Sequence, residues 1–267
     1  MAAIQRFSLA LLVGIRDALR YGQRTNEHLH QVIIACTADE DDFLRERRTF
    51  YAGEYALEEE FALLDRQLHA STRSFSEERC REVGALIAAA GQWQVPTLVN
   101  ERRWFLGVDS RRESPGLFAQ VPDSIRAGWE RGLSGGETYS GTPEALRAGW
   151  ETYQRVTGIL AQSGVRFLAG TDFAAPYIYP GYSLHREMEL LVGAGLPPLA
   201  ALQAATINPA RYLGVDASFG SVDAGKIADL VILRENPLAD IRHTLTIAGV
   251  LLNGRLVYSD PSPGSSN

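Results

Sequence analysis

GTDFAAPYIYPGYSLHREMELLVGAGLPPLAALQAATINPARYLGV, residues 170–215, is the stretch on which the reading of the fold turns. Just before it, residues 165–169 form an apolar run of strand length that stops at Gly170-Thr171-Asp172. Helices are expected over 183–194 and 198–205, the second breaking at Asn208-Pro209 with a short continuation to Leu213. Upstream of the strand, Thr142-Pro143-Glu144 opens another helix with a cap and a first-turn proline. Its apolar stripe is Leu146, Trp150, Tyr153, Val156 and Leu160. A strand fed by one helix and followed by another is a unit of a parallel sheet with crossover connections.

The alternation extends towards the N-terminus. A short amphipathic helix around Ile15 and Leu19 stops at Gly22, and residues 24–29 read as a strand ending in Glu27-His28. A buried run covers 31–37, and the acidic residues Asp39-Glu40-Asp41-Asp42 read as a solvated loop. Leu57, Phe61, Leu64 and Leu68 recur at helical spacing, and Ser76-Glu77-Glu78 starts a helix that runs to about Gly91. Residues 95–99 read as a strand. Residues 101–141, rich in Gly, Ser, Pro and Arg, read as a long loop with one or two helical turns. A loop of that length is more often functional than idle. Beyond Gly214 come strands over 227–233, 247–252 and 255–258, the last two joined by the hairpin pair Asn253-Gly254. Residues 261–267 read as a disordered tail. This pattern fits a barrel or an open doubly wound sheet.

Composition excludes several functions. A net charge of −6 over 267 residues argues against a nucleic-acid partner, which needs a basic surface. No apolar run is long enough to span a bilayer. The apolar stretch Phe7 to Ile15 passes straight into Arg16-Asp17 in a helical rhythm with no cleavage signal, so a cytoplasmic location is expected. Cys36 and Cys80 give neither a disulfide framework nor a paired zinc spacing and read as small buried hydrophobes. No glycine-rich phosphate loop follows a strand, which removes a Rossmann-type nucleotide binder.

Two polar residues stand where apolar strands end, His28 and Asp172. In a barrel of parallel strands the catalytic groups come from strand C-termini, and an imidazole with a carboxylate can bind a divalent metal. Residues 165–258 resemble the amidohydrolase superfamily, in its imidazolonepropionase-like and Xaa-Pro dipeptidase-like branch. The match runs through the quoted stretch, GSVDAGKIADLVILRENPLADI (220–241) and VLLNGRLV (250–257). GIRDALRYGQRTNEHL (14–29) is similar to the helix and sixth strand of that barrel, and VPTLVN (95–100) to the seventh.

The resemblance implies an α/β fold in which 1–214 is part of a TIM (β/α)8 barrel, about strands six to eight with their helices. Residues 215–260 would be C-terminal strands of a small β-sandwich, ahead of the 261–267 tail. It implies His28 as a metal ligand and Asp172 as both metal ligand and general base, with zinc, one ion or two, as cofactor. His185, in the helix start the family writes "slH.E", and Tyr182 would approach substrate; Tyr177 and Tyr179 would line the mouth or pack on each other. His30, His69 and His243 match nothing and read as structural or exposed.

The family's strand-one His-x-His, its strand-four lysine or carboxylate and its strand-five histidine have no match. No histidine precedes His28, and the only lysine, Lys226, lies in the sandwich segment. The implied function is metal-dependent hydrolysis of carbon–nitrogen bonds in a small amide-like substrate, incomplete in this chain alone. The chain would then self-associate or need a partner that supplies the rest of the barrel. The alternative is a non-catalytic remnant or interaction module that keeps the half barrel.

Overall fold

A computed structural model describes residues 12–107, 114–134 and 139–261. The first half of the Phe7–Ile15 stretch, parts of 101–141 and the 262–267 tail lie outside those residues. The molecule is largely helical, with two three-stranded sheets. The first is parallel in the order β1 (Thr25–Glu27), β2 (Trp93–Val95), β3 (Arg166–Phe167). It is open among the described residues, with β1 and β3 at its edges. The second is antiparallel, β4 (Leu230–Leu233), β5 (Ile247–Leu252) and β6 (Arg255–Ser259).

Helices fill the crossovers. Between β1 and β2 lie α2 (His30–Ala35), α3 (Glu40–Tyr51), α4 (Leu57–Arg73) and α5 (Glu77–Ala90), preceded by α1 (Ile15–Arg20). Between β2 and β3 lie α6 (Leu98–Leu106), α7 (Pro115–Gln120), α8 (Asp123–Ser134) and α9 (Pro143–Gln162). After β3 come α10 (Tyr182–Gly193), α11 (Pro198–Ala205) and α12 (Ile207–Leu213). The expected local signals hold. Ser76 Oγ accepts the Arg79 amide, Thr142 Oγ1 accepts that of Ala145, and α5 ends at Gly91 in the left-handed region at φ 68°. Asn253 and Gly254 both take positive φ, as a two-residue hairpin turn requires.

The core lies under α9, which packs against α5 and α6. Trp150, Tyr153, Val156 and Leu160 are buried there with Val83, Ile87, Leu98 and Phe105. Each such side chain contributes about 2 kcal/mol relative to exposure. Helix α10 packs on α6, on α11 and on the short 3₁₀ turn Ile241–Leu245. Buried Ile241 joins this core, which ties the segment leading into the antiparallel sheet to the helices.

Several expectations change. The acidic run is not a loop: Glu40, Asp41 and Asp42 form the first turn of α3, where carboxylates favour the positive helix end. The buried run after His28 is helical, as α2. The strand expected at 95–99 ends at Val95, because Thr97 turns left-handed at φ 51° and α6 starts at Leu98. The long loop of 101–141 is mostly helix, as α6, α7 and α8. Leu57 and Phe61 are exposed, and α4 buries Leu63 beside the expected Leu68. Cys36 and Cys80 are fully buried as expected, but they are joined as a disulfide linking the end of α2 to α5.

Candidate active site

The C-terminal ends of the parallel strands share one backbone feature. His28 follows β1 at φ 58°, Thr97 lies just past β2 at φ 51°, and Asp172 lies beyond β3 at φ 57°. Non-glycine residues rarely adopt this region, and a β-branched threonine least of all. Such conformations cost about 1–3 kcal/mol each and gather at functional sites. Three of them at one end of one sheet single that end out as the candidate site.

A hydrogen-bond network fixes the imidazole of His28. Thr97 Oγ1 donates to Pro96 O at 2.7 Å, so towards His28 Nδ1, also at 2.7 Å, it accepts. The neutral ring therefore keeps its proton on Nδ1 and leaves Nε2 as the electron-pair donor. Glu101 Oε1 stands 3.4 Å from the same Nδ1. Its other oxygen lies 3.5 Å from His30 Nε2 and accepts from the Tyr139 hydroxyl at 3.1 Å.

These contacts set the charges. Burial works against ionisation of Glu101, but the His30 charge and the hydrogen bonds from His28 and His30 overcome it, and its carboxyl falls to about 2. Burial likewise opposes a charge on His28. The Glu101 hydrogen bond, with the charges of Glu101, Asp172 and Glu27, outweighs it and raises the imidazole above its ordinary value. Burial, then Glu101, pushes the Tyr139 phenol well up, so it stays a hydroxyl donor.

Asp172 is held by the same helix. Asn100 Nδ2 donates to its Oδ2 at 2.8 Å, leaving Oδ1 without a hydrogen bond from a described residue. Arg103 in turn donates to Asn100 Oδ1 at 3.3 Å. Helix α6 thus reaches His28 through Glu101 and Asp172 through Asn100. Its N-terminus is met by Glu187 of α10, whose oxygens accept the amides of Leu98 at 2.9 Å and Val99 at 2.7 Å. Complete burial pushes Glu187 up to about 8, against the pull of those two amides.

The sequence-derived residues are not all brought together. His28 and Asp172 share the strand-end site. Tyr182 opens α10 and lines a pocket of about 40 Å³ with Tyr179, Arg103 and Arg186, room for little more than one water. His185 is half-buried, with its pKa lowered by burial, and its Nδ1 has no hydrogen-bond partner among the described residues. Tyr177 and Tyr179 pack around Trp129, with ring centroids 5.1 and 5.9 Å away. His69 binds Asp65 and the Ser140 carbonyl, and His243 binds Glu235 and the Asn236 carbonyl, so both are structural. His30 departs from that expectation by joining the site. Thr97, Asn100, Glu101 and Glu187 went unassigned in the sequence. The motif VPTLVN and the helix start around His185 stood beside them without revealing their roles.

The donor set does not complete a metal site. Zinc takes three or four protein ligands, and the two expected from the sequence, His28 and Asp172, would supply two. Among the described residues no group of three or more His, Cys, Asp or Glu side chains could hold a metal ion. No described helix is long and apolar enough to cross a membrane.

The chain is similar to known proteins over part of its length. The model of the amidohydrolase family matches residues 143–257. Imidazolonepropionase of Symbiobacterium thermophilum is 33% identical over 105 residues, 38% of this chain and 24% of that protein. Adenine deaminase 4 of Rhizobium meliloti is 32% identical over 103 residues, 39% of this chain and 16% of that protein. The solved structure of a bottromycin amidohydrolase superposes with a TM-score of 0.63 at 25% identity, over 92% of this chain and 47% of its own. The chain therefore spans less than half the length of each of these relatives. The family match runs from α9 to the last hairpin, so residues 143–257 are similar to the amidohydrolase family over that stretch.

Proposed function

We propose that this chain carries part of the active site of a hydrolase that cleaves carbon–nitrogen bonds in a small amide-like substrate. Asp172 is the proton-handling group. The observation that carries the reading is the shared α6 scaffold, which aims Asp172 through Asn100 and His28 through Glu101 and the N-cap Thr97, from beyond the two strands that flank β2. With Oδ2 occupied by Asn100, Oδ1 of Asp172 is the atom that takes a proton from an attacking water and returns it to the leaving nitrogen. The Nδ1–H tautomer leaves Nε2 of His28 as its ligating atom.

Among the described residues the zinc implied by the resemblance draws on His28 and Asp172, and its remaining ligands come from elsewhere. On this reading residues 1–214 are the part-barrel and 215–260 the sandwich strands, and Tyr182 and His185 lie on the substrate side. The open sheet and the apolar residues exposed on β4 and β6 favour association with whatever supplies the rest. They include Val231 and Ile232 on β4 and Leu256 and Val257 on β6.

The test is zinc-dependent hydrolysis of a panel of cyclic amides and dipeptides. The protein is purified with its natural associated sequence or chain, as wild type and as Asp172→Asn. Activity that disappears in the variant, with the protein still folded, is expected. Undiminished activity in Asp172→Asn would sink the assignment.

A further inference from the structure

Helix α6 begins without a cap of its own. Thr97 occupies the N-cap position, yet its side chain makes no capping bond; its hydroxyl is committed to Pro96 O and His28 Nδ1. The amides left over are met from a distant element, by both oxygens of Glu187, which is 0% exposed. A helix that needed only a cap would be served by a serine or asparagine at position 97. That solution is closed here, because the position-97 hydroxyl is spent on His28. Burying a carboxyl 89 residues away from Leu98 is a costly alternative, so it calls for a reason beyond capping.

The reason lies in what α6 carries. Asn100 and Glu101 sit in its first turn and hold Asp172 and His28 respectively. A slip of one residue in the helix start would rotate both side chains by about 100° and break both contacts at once. We propose that Glu187 is a positioning residue for the His28–Asp172 pair, acting by fixing the register at which α6 starts. The inference rests on the hydrolase reading for its importance, although the geometry it asserts can be tested without metal, substrate or turnover.

The experiment is NMR on the full chain, isotope-labelled and held in chelator, reading two signatures. One is the tautomer reported by the ring nitrogens of His28 at a pH where the ring is neutral. The other is the hydrogen-bonded side-chain amide of Asn100. Wild type should show a single Nδ1–H tautomer and a shifted Asn100 amide. In Glu187→Ala the tautomers should mix and the Asn100 shift should collapse. Ser76→Ala serves as the control, since it removes a helix cap from α5, away from the site; it should leave both signatures intact.

A Glu187→Ala protein that folds and keeps both signatures overturns the proposal, as does a Ser76→Ala protein that loses them equally. Should Glu187→Ala fail to fold, Glu187→Gln keeps the volume and one acceptor. Partial tautomer mixing is then expected, and complete retention overturns the idea. Failure of the hydrolase reading would show separately, as absent carbon–nitrogen cleavage with these signatures unchanged.

Discussion

Replacing Glu101 by glutamine removes a charge that faces both imidazoles of the site. In the folded chain the carboxyl falls from 4.5 to about 2, and it is only 2% exposed, so solvent screening discounts little. That difference corresponds to about 3 kcal/mol, within the range expected when one partner of a buried ion pair is deleted. A carboxyl with a depressed pKa lends its stability above pH 4.5 and loses it as pH falls towards about 2. His28, raised above 6.5, lends its share below pH 6.5 and loses it as pH rises through its folded value. Both are present between pH 4.5 and 6.5.

The assay is urea unfolding of wild type and Glu101→Gln in chelator, inside that window and again well above it. Inside the window the midpoint should fall by about 1 M, for a slope of about 2–3 kcal/mol/M. At alkaline pH the gap should shrink as His28 discharges. Equal stability of the two proteins inside the window, or a gap that widens at alkaline pH, would refute the electrostatic account.

Three further outcomes are expected. Gly91→Ala should destabilise by about 1–2 kcal/mol in thermal unfolding, since Gly91 sits at φ 68° and an added Cβ would come within 2.5 Å of Arg166 Nη2. Between pH 4.5 and about 8 the folded state holds a proton on Glu187 that the unfolded state has released. Wild-type stability should therefore decline relative to Glu187→Gln as pH rises across that window, by at most about 5 kcal/mol; a rising trend would contradict the protonation assigned to this group. Sedimentation of the purified chain should show self-association, weakened when Leu256 and Val257 on β6 become Ser, whereas a clean monomer would remove the case for a missing partner surface.

The contrast between α9 and α6 shows where the sequence was legible. Helix α9 has a capping threonine, a first-turn proline and an apolar stripe of which Trp150, Tyr153, Val156 and Leu160 are buried, so local signals were enough. Helix α6 inverts the pattern: alongside Leu98 and Phe105 it buries Asn100, Glu101 and Arg103. A period count that looks for apolar residues on the inner face cannot find it, and residues 101–141 read as loop. The acidic start of α3 failed for a related reason, because first-turn carboxylates resemble a solvated run until the following helix is seen.

The site divides in the same way. His28 and Asp172 stand beside apolar runs and inside recognisable motifs, so position and resemblance reached them. The partners of His28 are Thr97, 69 residues on, and Glu101 beyond it, and no local spacing records such contacts. His30 was passed over because its role depends on Glu101 and Tyr139, which reach it only once the chain is folded.

The most direct test of the central claim is zinc titration of the purified chain, competed against a chelating dye, for wild type, His28→Ala and Asp172→Ala. The account predicts weak binding in wild type, as two ligands allow, and its loss in either variant. Zinc bound equally well by all three proteins would place the metal elsewhere and contradict the assignment of His28 and Asp172.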